Sequence, residues 1–142
     1  MYSNIVVGTD GSDTAKTALQ HAIDLATVQG ATIHIVSAFR SGGAAVKVGT
    51  QAEHWYIDSR TKIDAILDNA AAVARSKGLT VETHAVEGDP GDAIVTIAGE
   101  VDADAVVVGN KGMRGAKRFL LGSVPNTVAH NAPCTVVIVK TT

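Results

Sequence analysis

Ala105-Val106-Val107-Val108-Gly109-Asn110-Lys111-Gly112 is an apolar run that stops abruptly at a glycine turn, and nine residues later follows Gly122-Ser123-Val124-Pro125. A short β-branched run without alternation reads as a strand covered on both faces. Pro125 suits the first turn of a helix, where the missing N–H costs nothing. Strand, glycine loop and helix start together spell G-x2-G-x9-G-[ST] at the end of a βα unit. Glycines there admit unusual backbone angles and remove Cβ atoms that would hold a ligand away. Backbone N–H groups leading into a helix N-terminus form a natural cradle for anionic phosphate.

Working outward, the same alternation of elements recurs along the chain. Further β-type runs are Ile5-Val6-Val7, Ile33-His34-Ile35-Val36, Val81 to Val86, and Thr135 to Val139. Val81-Glu82-Thr83-His84-Ala85 alternates apolar or small with polar residues and is expected at a sheet edge. Helical stripes lie between the runs. Ser12 is placed to cap a helix carrying Ala15, Ala18, Leu19, Ala22, Leu25 and Ala26, which closes near Gly30. A second stripe is Ile63, Ile66, Leu67, Ala70, Val73 and Ala74; a third, after Gly88-Asp89-Pro90-Gly91, is Ala93, Ile94, Ile97, Ala98 and Val101. Strands alternating with helices imply right-handed βαβ units, a parallel sheet and one α/β domain spanning residues 1–142.

In such sheets ligands bind outside the carboxyl ends of the strands, where the winding direction reverses. Gly8-Thr9-Asp10-Gly11-Ser12 follows the first strand and the glycine pattern follows the fourth, so adjacent first and fourth strands would bring both loops to one crevice. Gly109 and Gly112 would admit ribose and phosphates close to the backbone, while Gly122, Ser123 and Val124 offer N–H groups and Ser123 a hydroxyl. Lys111 is the favoured candidate among nearby cations to reach phosphate oxygens. Three roles are open to Asp10: a turn residue bonded to the next backbone amides, a partner of ribose hydroxyls, or a ligand to a magnesium ion bridging phosphates.

Composition bounds the rest. The 142 residues are 46% hydrophobic but only 4% aromatic, so the core is expected to be aliphatic. A net charge of −2 gives no general footprint for nucleic acid or an anionic membrane. The apolar runs are far too short to span a bilayer and no leader is evident, so a cytoplasmic location is expected. Cys134 alone excludes an internal disulfide and is expected to be a buried, unreactive thiol. The five histidines show no ligand spacing and are read as surface or boundary residues. A Walker-type loop is absent, and residues 40–56 read as a surface loop or lid. Thr135 to Val139 is apolar on both faces at a presumed edge, for which pairing with the same strand of a second chain is the expected remedy.

These residues resemble the universal stress protein family in its nucleotide-binding branch. The likeness covers nearly the whole chain, from Ile5 to Ser12, through Gly88-Asp89-Pro90 and the glycine pattern, to Val136-Val137-Ile138-Val139. It implies a doubly wound sheet of strand order 3-2-1-4-5 with helices on both faces, ATP or another adenine nucleotide such as cAMP in one crevice, and dimers joined through the last strand. It also implies that Gly8, Thr9 and Asp10 line the adenosine end, that Ala38 contacts adenine through its backbone, and that Gly109, Gly112, Gly122, Ser123 and Val124 hold ribose and phosphates. A homodimeric stress-response sensor is the function so implied. The rival readings are a slow adenine-nucleotide hydrolase or transferase, and a scaffold with an empty crevice.

Overall fold

The computed structural model describes residues 1–40, 59–111 and 121–141. Five parallel strands form one sheet: β1 Asn4–Gly8, β2 Thr32–Phe39, β3 Val81–Glu87, β4 Ala105–Gly109 and β5 Thr135–Val139, in the spatial order β3-β2-β1-β4-β5. Four helices are found among the described residues: α1 Asp13–Gln29, α2 Ser59–Arg75, α3 Pro90–Glu100 and α4 Ser123–Asn131. The expected strand order and doubly wound architecture are therefore present. Much of the loop expected over residues 40–56, and Gly112, Arg114, Lys117 and Arg118, lie outside the described residues.

Local chemistry explains where the helices begin and end. Ser12 Oγ accepts the Ala15 amide at 3.2 Å, satisfying one of the orphan donors at the start of α1. Gly30, at φ 69°, stops α1 in the left-handed conformation that side chains resist. Asp89 caps α3 through the Asp92 amide, and Pro90 opens that helix.

Parity along the strands sorts side chains between two cores. Ile5, Val7, Ile33 and Ile35 face α1 and α2, against Leu19, Ile23, Ile63 and Leu67. Val6, Val36, Val106 and Val108 face α3 and α4, against Ile94, Ile97 and Val128. Both faces of β1 and β4 are thus covered, which is why neither strand alternates in sequence. The core is aliphatic, as composition requires. Among the described residues no helix is long and apolar enough to cross a membrane.

Both expected edges are found. β3 leaves Glu82 and Thr83 exposed, and β5 leaves Ile138 40% exposed. Strand β2 runs three residues beyond the apolar run that marks it in sequence, because Ser37, Ala38 and Phe39 pair with Ala85, Val86 and Glu87. Only the neighbouring strand supplies that ladder.

Two expectations need correction. His34 is not a surface or boundary residue: it is 3% exposed, with Nε2 3.0 Å from Asn4 Oδ1 and Nδ1 3.1 Å from His84 Nε2. Its imidazole fits a buried strand position because both ring nitrogens find partners. Burial pushes its pKa below the usual histidine value, opposed by the Glu82 carboxylate and reinforced by His84. Cys134 is half-buried rather than fully buried, and desolvation, followed by the negative charge of Asp104, raises its pKa and keeps the thiol protonated.

Candidate functional site

The chain leaves β1 toward β2 on one side and returns as β4 on the other, so the sheet's winding reverses between β1 and β4. A shallow crevice, open to solvent at its mouth, lies at their carboxyl ends. Gly8, Thr9, Asp10, Ala38, Gly109, Lys111 and Val124 all line it. Residues from three strand ends and one helix start, far apart in sequence, therefore meet at one place.

The first loop is held tightly by its own atoms. Thr9 prolongs the β1 ladder, its amide bonding the Val36 carbonyl at 2.9 Å, while the buried Ser37 hydroxyl donates to the Thr9 carbonyl at 2.6 Å. Asp10 Oδ1 accepts the Ser12 amide at 2.9 Å, and Thr9 Oγ1 accepts the Gly11 amide at 3.1 Å. Asp10 is thus a turn residue with one oxygen engaged. Gly11 takes a φ of 82°, closed to most side chains, and so shapes the bend into α1.

On the opposite wall Asn110 ties three elements together. Its amide donates to the Val139 carbonyl at 2.8 Å, its carbonyl accepts the Gly122 amide at 3.1 Å, and its Oδ1 accepts both the amide and hydroxyl of Thr141, at 2.9 and 3.0 Å. The exits of β4 and β5 and the entry of α4 are thereby joined at one residue. Sequence reading missed Asn110, because an Asn between glycines reads as ordinary turn chemistry.

This arrangement corrects one detail of the expected cradle. Gly122 is the N-cap of α4, no side chain caps that helix, and the Gly122 amide, expected to face phosphate, is already bonded to Asn110. Pro125 carries no N–H, so the orphan donors of the first turn reduce to Ser123 and Val124. Val124 and Pro125 line the crevice, while Gly122 and Ser123 sit beside it at the helix start. The glycines also serve packing. A Cβ on Gly8 would stand 2.5 Å from Ile94 Cδ1, and one on Gly109 would stand 3.2 Å from Thr141 Cγ2. Their lack of side chains lets α3 and the C-terminal segment close on the sheet.

Chemically, the crevice has an apolar middle and polar ends. Val36, Ala38, Ile94 and Val108 offer a surface for a flat apolar group. Uncapped amides and Lys111 favour an anion, with the helix-end field contributing about 0.3–1 kcal/mol, up to ~2 when partly buried. Pro90, Ile94 and Pro125 were missed as lining residues, Pro90 having been read as part of a turn and the other two as helix residues; nothing in their spacing signals a ligand.

Comparison with known proteins agrees with this geometry. The model of the Universal stress protein family matches residues 1–140. Universal stress protein YxiE of Bacillus subtilis is 32% identical over 99% of this chain and 100% of its own length. A solved universal stress protein in complex with cAMP is 36% identical, covering 99% of this chain and 98% of its own, with a TM-score of 0.77. The universal stress protein from Archaeoglobus fulgidus in complex with dAMP is 30% identical, covers 98% of each chain and has a TM-score of 0.73.

Proposed function

This chain belongs to the universal stress protein family, and on that premise we propose that its crevice binds an adenine nucleotide, ATP or cAMP, as the sensing step of a homodimeric stress-response regulator in the cytoplasm. The observation that carries the reading is the convergence of Thr9 and Asp10 with Gly109, Lys111 and Val124 around one opening. The relatives with cAMP and dAMP bound support an adenine ligand. In this reading adenine lies along the Ala38 backbone, the free oxygen of Asp10 takes a ribose hydroxyl, and the Ser123 and Val124 amides meet phosphate with Lys111. Gly112, outside the described residues, keeps the phosphate-binding role that the family resemblance implies. With ATP as the ligand, a magnesium ion would neutralise phosphate charge, and Asp10 is the carboxylate in the described lining that would hold it.

Binding rather than turnover is the better reading. Among the described residues lining the crevice, Asp10 is the one carboxylate, and its Oδ1 is occupied by the Ser12 amide. A general base needs hydrogen-bond reach to an attacking water and freedom to take its proton. Hydrolysis should accordingly be slow. The dimer is assigned to β5, where Ile138 leaves an apolar side chain at the sheet edge.

The decisive experiment is to denature the purified protein, identify released small molecules by absorbance and mass, and then titrate emptied protein with ATP, cAMP and GTP in a calorimeter. A bound or tightly titrating adenine nucleotide is expected. Protein that carries none and gives no heat with any of the three sinks the proposal.

A further inference from the structure

Away from the crevice, near the start of β2, three ligand-type side chains converge across the β2–β3 pair. His34 lies four residues before Ala38, about 13 Å at the usual strand rise. His34 pairs in register with Glu82, and Val36 with His84, so all three side chains project from the same sheet face. Their nearest ligand atoms all lie within 4.8 Å of one another. His34 Nδ1 stands 3.1 Å from His84 Nε2 and 3.9 Å from Glu82 Oε1. We propose that His34 Nδ1, His84 Nε2 and a Glu82 carboxylate oxygen form a site for a zinc-type divalent cation that clips the edge strand β3 to β2. The site is independent of the nucleotide reading.

Geometry comes first. Tetrahedral zinc with bonds of about 2.0–2.1 Å sets its ligand atoms about 3.3–3.4 Å apart. The two histidine nitrogens are within a few tenths of an ångström of that spacing. Glu82, whose oxygen stands 3.9 Å from His34 Nδ1 and within 4.8 Å of His84 Nε2, must swing inward to reach a zinc–oxygen geometry, and its side chain, 59% exposed, has the room to do so.

Tautomer chemistry points the same way. Asn4 Oδ1 can only accept, so the His34 Nε2 facing it at 3.0 Å carries the proton and Nδ1 presents its lone pair toward His84 and Glu82. An outer hydrogen bond of this kind is what fixes a metal-binding imidazole in place. Asn4 is itself anchored, its amide donating to Asp104 Oδ2 at 2.9 Å and its carbonyl accepting the Asp104 amide at 2.9 Å. Without metal, His84 Nε2–H donates to His34 Nδ1. When a cation enters, that proton moves to His84 Nδ1 and the carboxylate remains ionised, so no net proton is released. Two imidazoles and one carboxylate suit zinc, copper or nickel, whereas calcium and magnesium demand more oxygens. The fourth position stays open to water on the exposed side of β3.

Protein stripped with a chelator and titrated with Zn²⁺ should bind one ion per chain, and Co²⁺ should develop the visible bands of tetrahedral coordination. His84→Ala should weaken zinc binding by at least about 100-fold and Glu82→Gln by about 10-fold, outer-shell losses being typically 10–100-fold. His21→Ala should change nothing. Should His84→Ala lose its far-UV circular dichroism, the exposed Glu82→Gln decides. Absence of stoichiometric zinc binding by the unmodified chain, or unchanged affinity in the folded variants, overturns the proposal.

Discussion

The Asn110 carbonyl accepts the Gly122 amide at 3.1 Å, and this one bond sets where α4 begins relative to the exit of β4. It consumes the glycine amide that a phosphate would otherwise claim.

Asn110→Ala separates the side chain's work from the backbone's. Losing Oδ1 deprives Thr141 of two hydrogen bonds, each with a net value of about 0.5–1.5 kcal/mol. Chemical denaturation should show a loss of about 1–2 kcal/mol. The backbone bond to Gly122 survives, so ATP affinity measured by calorimetry should change less than about threefold, near 0.6 kcal/mol. A large affinity loss with unaltered stability would refute this division.

Gly122→Val should cost affinity as well as stability. Gly122 is the buried N-cap of α4, and β-branched residues are poor at that position, costing about 1 kcal/mol relative to good caps. The added bulk stands where phosphate approaches the Ser123 and Val124 amides. ATP binding should fall by at least about tenfold, about 1.4 kcal/mol; binding equal to that of the parent chain would contradict the assignment of this helix end to phosphate.

Gly8→Ala tests the packing reason for a glycine at the end of β1. The new Cβ meets Ile94 Cδ1 at 2.5 Å, and overpacking of this kind costs about 1–3 kcal/mol. Ile94→Val removes the offending methyl group at a cost of about 0.5–1.5 kcal/mol by itself. The double variant should be more stable than the sum of the two losses predicts. Strict additivity in urea denaturation would show that the two residues do not meet.

Asp104 supplies the pH dependence. Amide hydrogen bonds from Asn4 and Ser3, in that order of weight, lower its pKa in the folded chain. A lowered carboxylate pKa means the unfolded chain binds protons first, so the stabilisation is complete above the unfolded value near 3.9 and fades as pH falls through the folded one. Thermal denaturation below about pH 4 should show this loss, and Asp104→Asn should flatten that acid limb. An unchanged limb would assign acid sensitivity to other carboxylates.

Ile138→Lys probes the proposed dimer. A lysine on an otherwise open edge opposes pairing between strands. Sedimentation should find the parent chain dimeric and the variant monomeric; a variant that remains dimeric places the interface elsewhere.

Local patterns were enough to delimit most elements. Ser12, Gly30, Asp89-Pro90 and Pro125 punctuate helices through caps and missing donors that involve only nearby residues, so they are legible in one dimension. Unbroken Val and Ile runs marked β1 and β4 as strands covered on both faces, and the polar alternation of Val81 to Ala85 marked an edge. Even the crevice was foreseeable, since the reversal of winding between β1 and β4 makes their glycine-bearing exits meet.

What the chain order determined by itself was the succession of strands and helices, the aliphatic core and the two loops able to meet at one opening, because each depends on periodicity or on turn chemistry over a few residues. Only the tertiary structure decided that Asn110 joins β4, β5 and α4, that Gly8 makes room for Ile94, and that His34 is buried against Asn4 and His84. Those are contacts between residues distant in sequence, where a hydrogen bond or a missing methyl group acts through space and leaves no periodic trace.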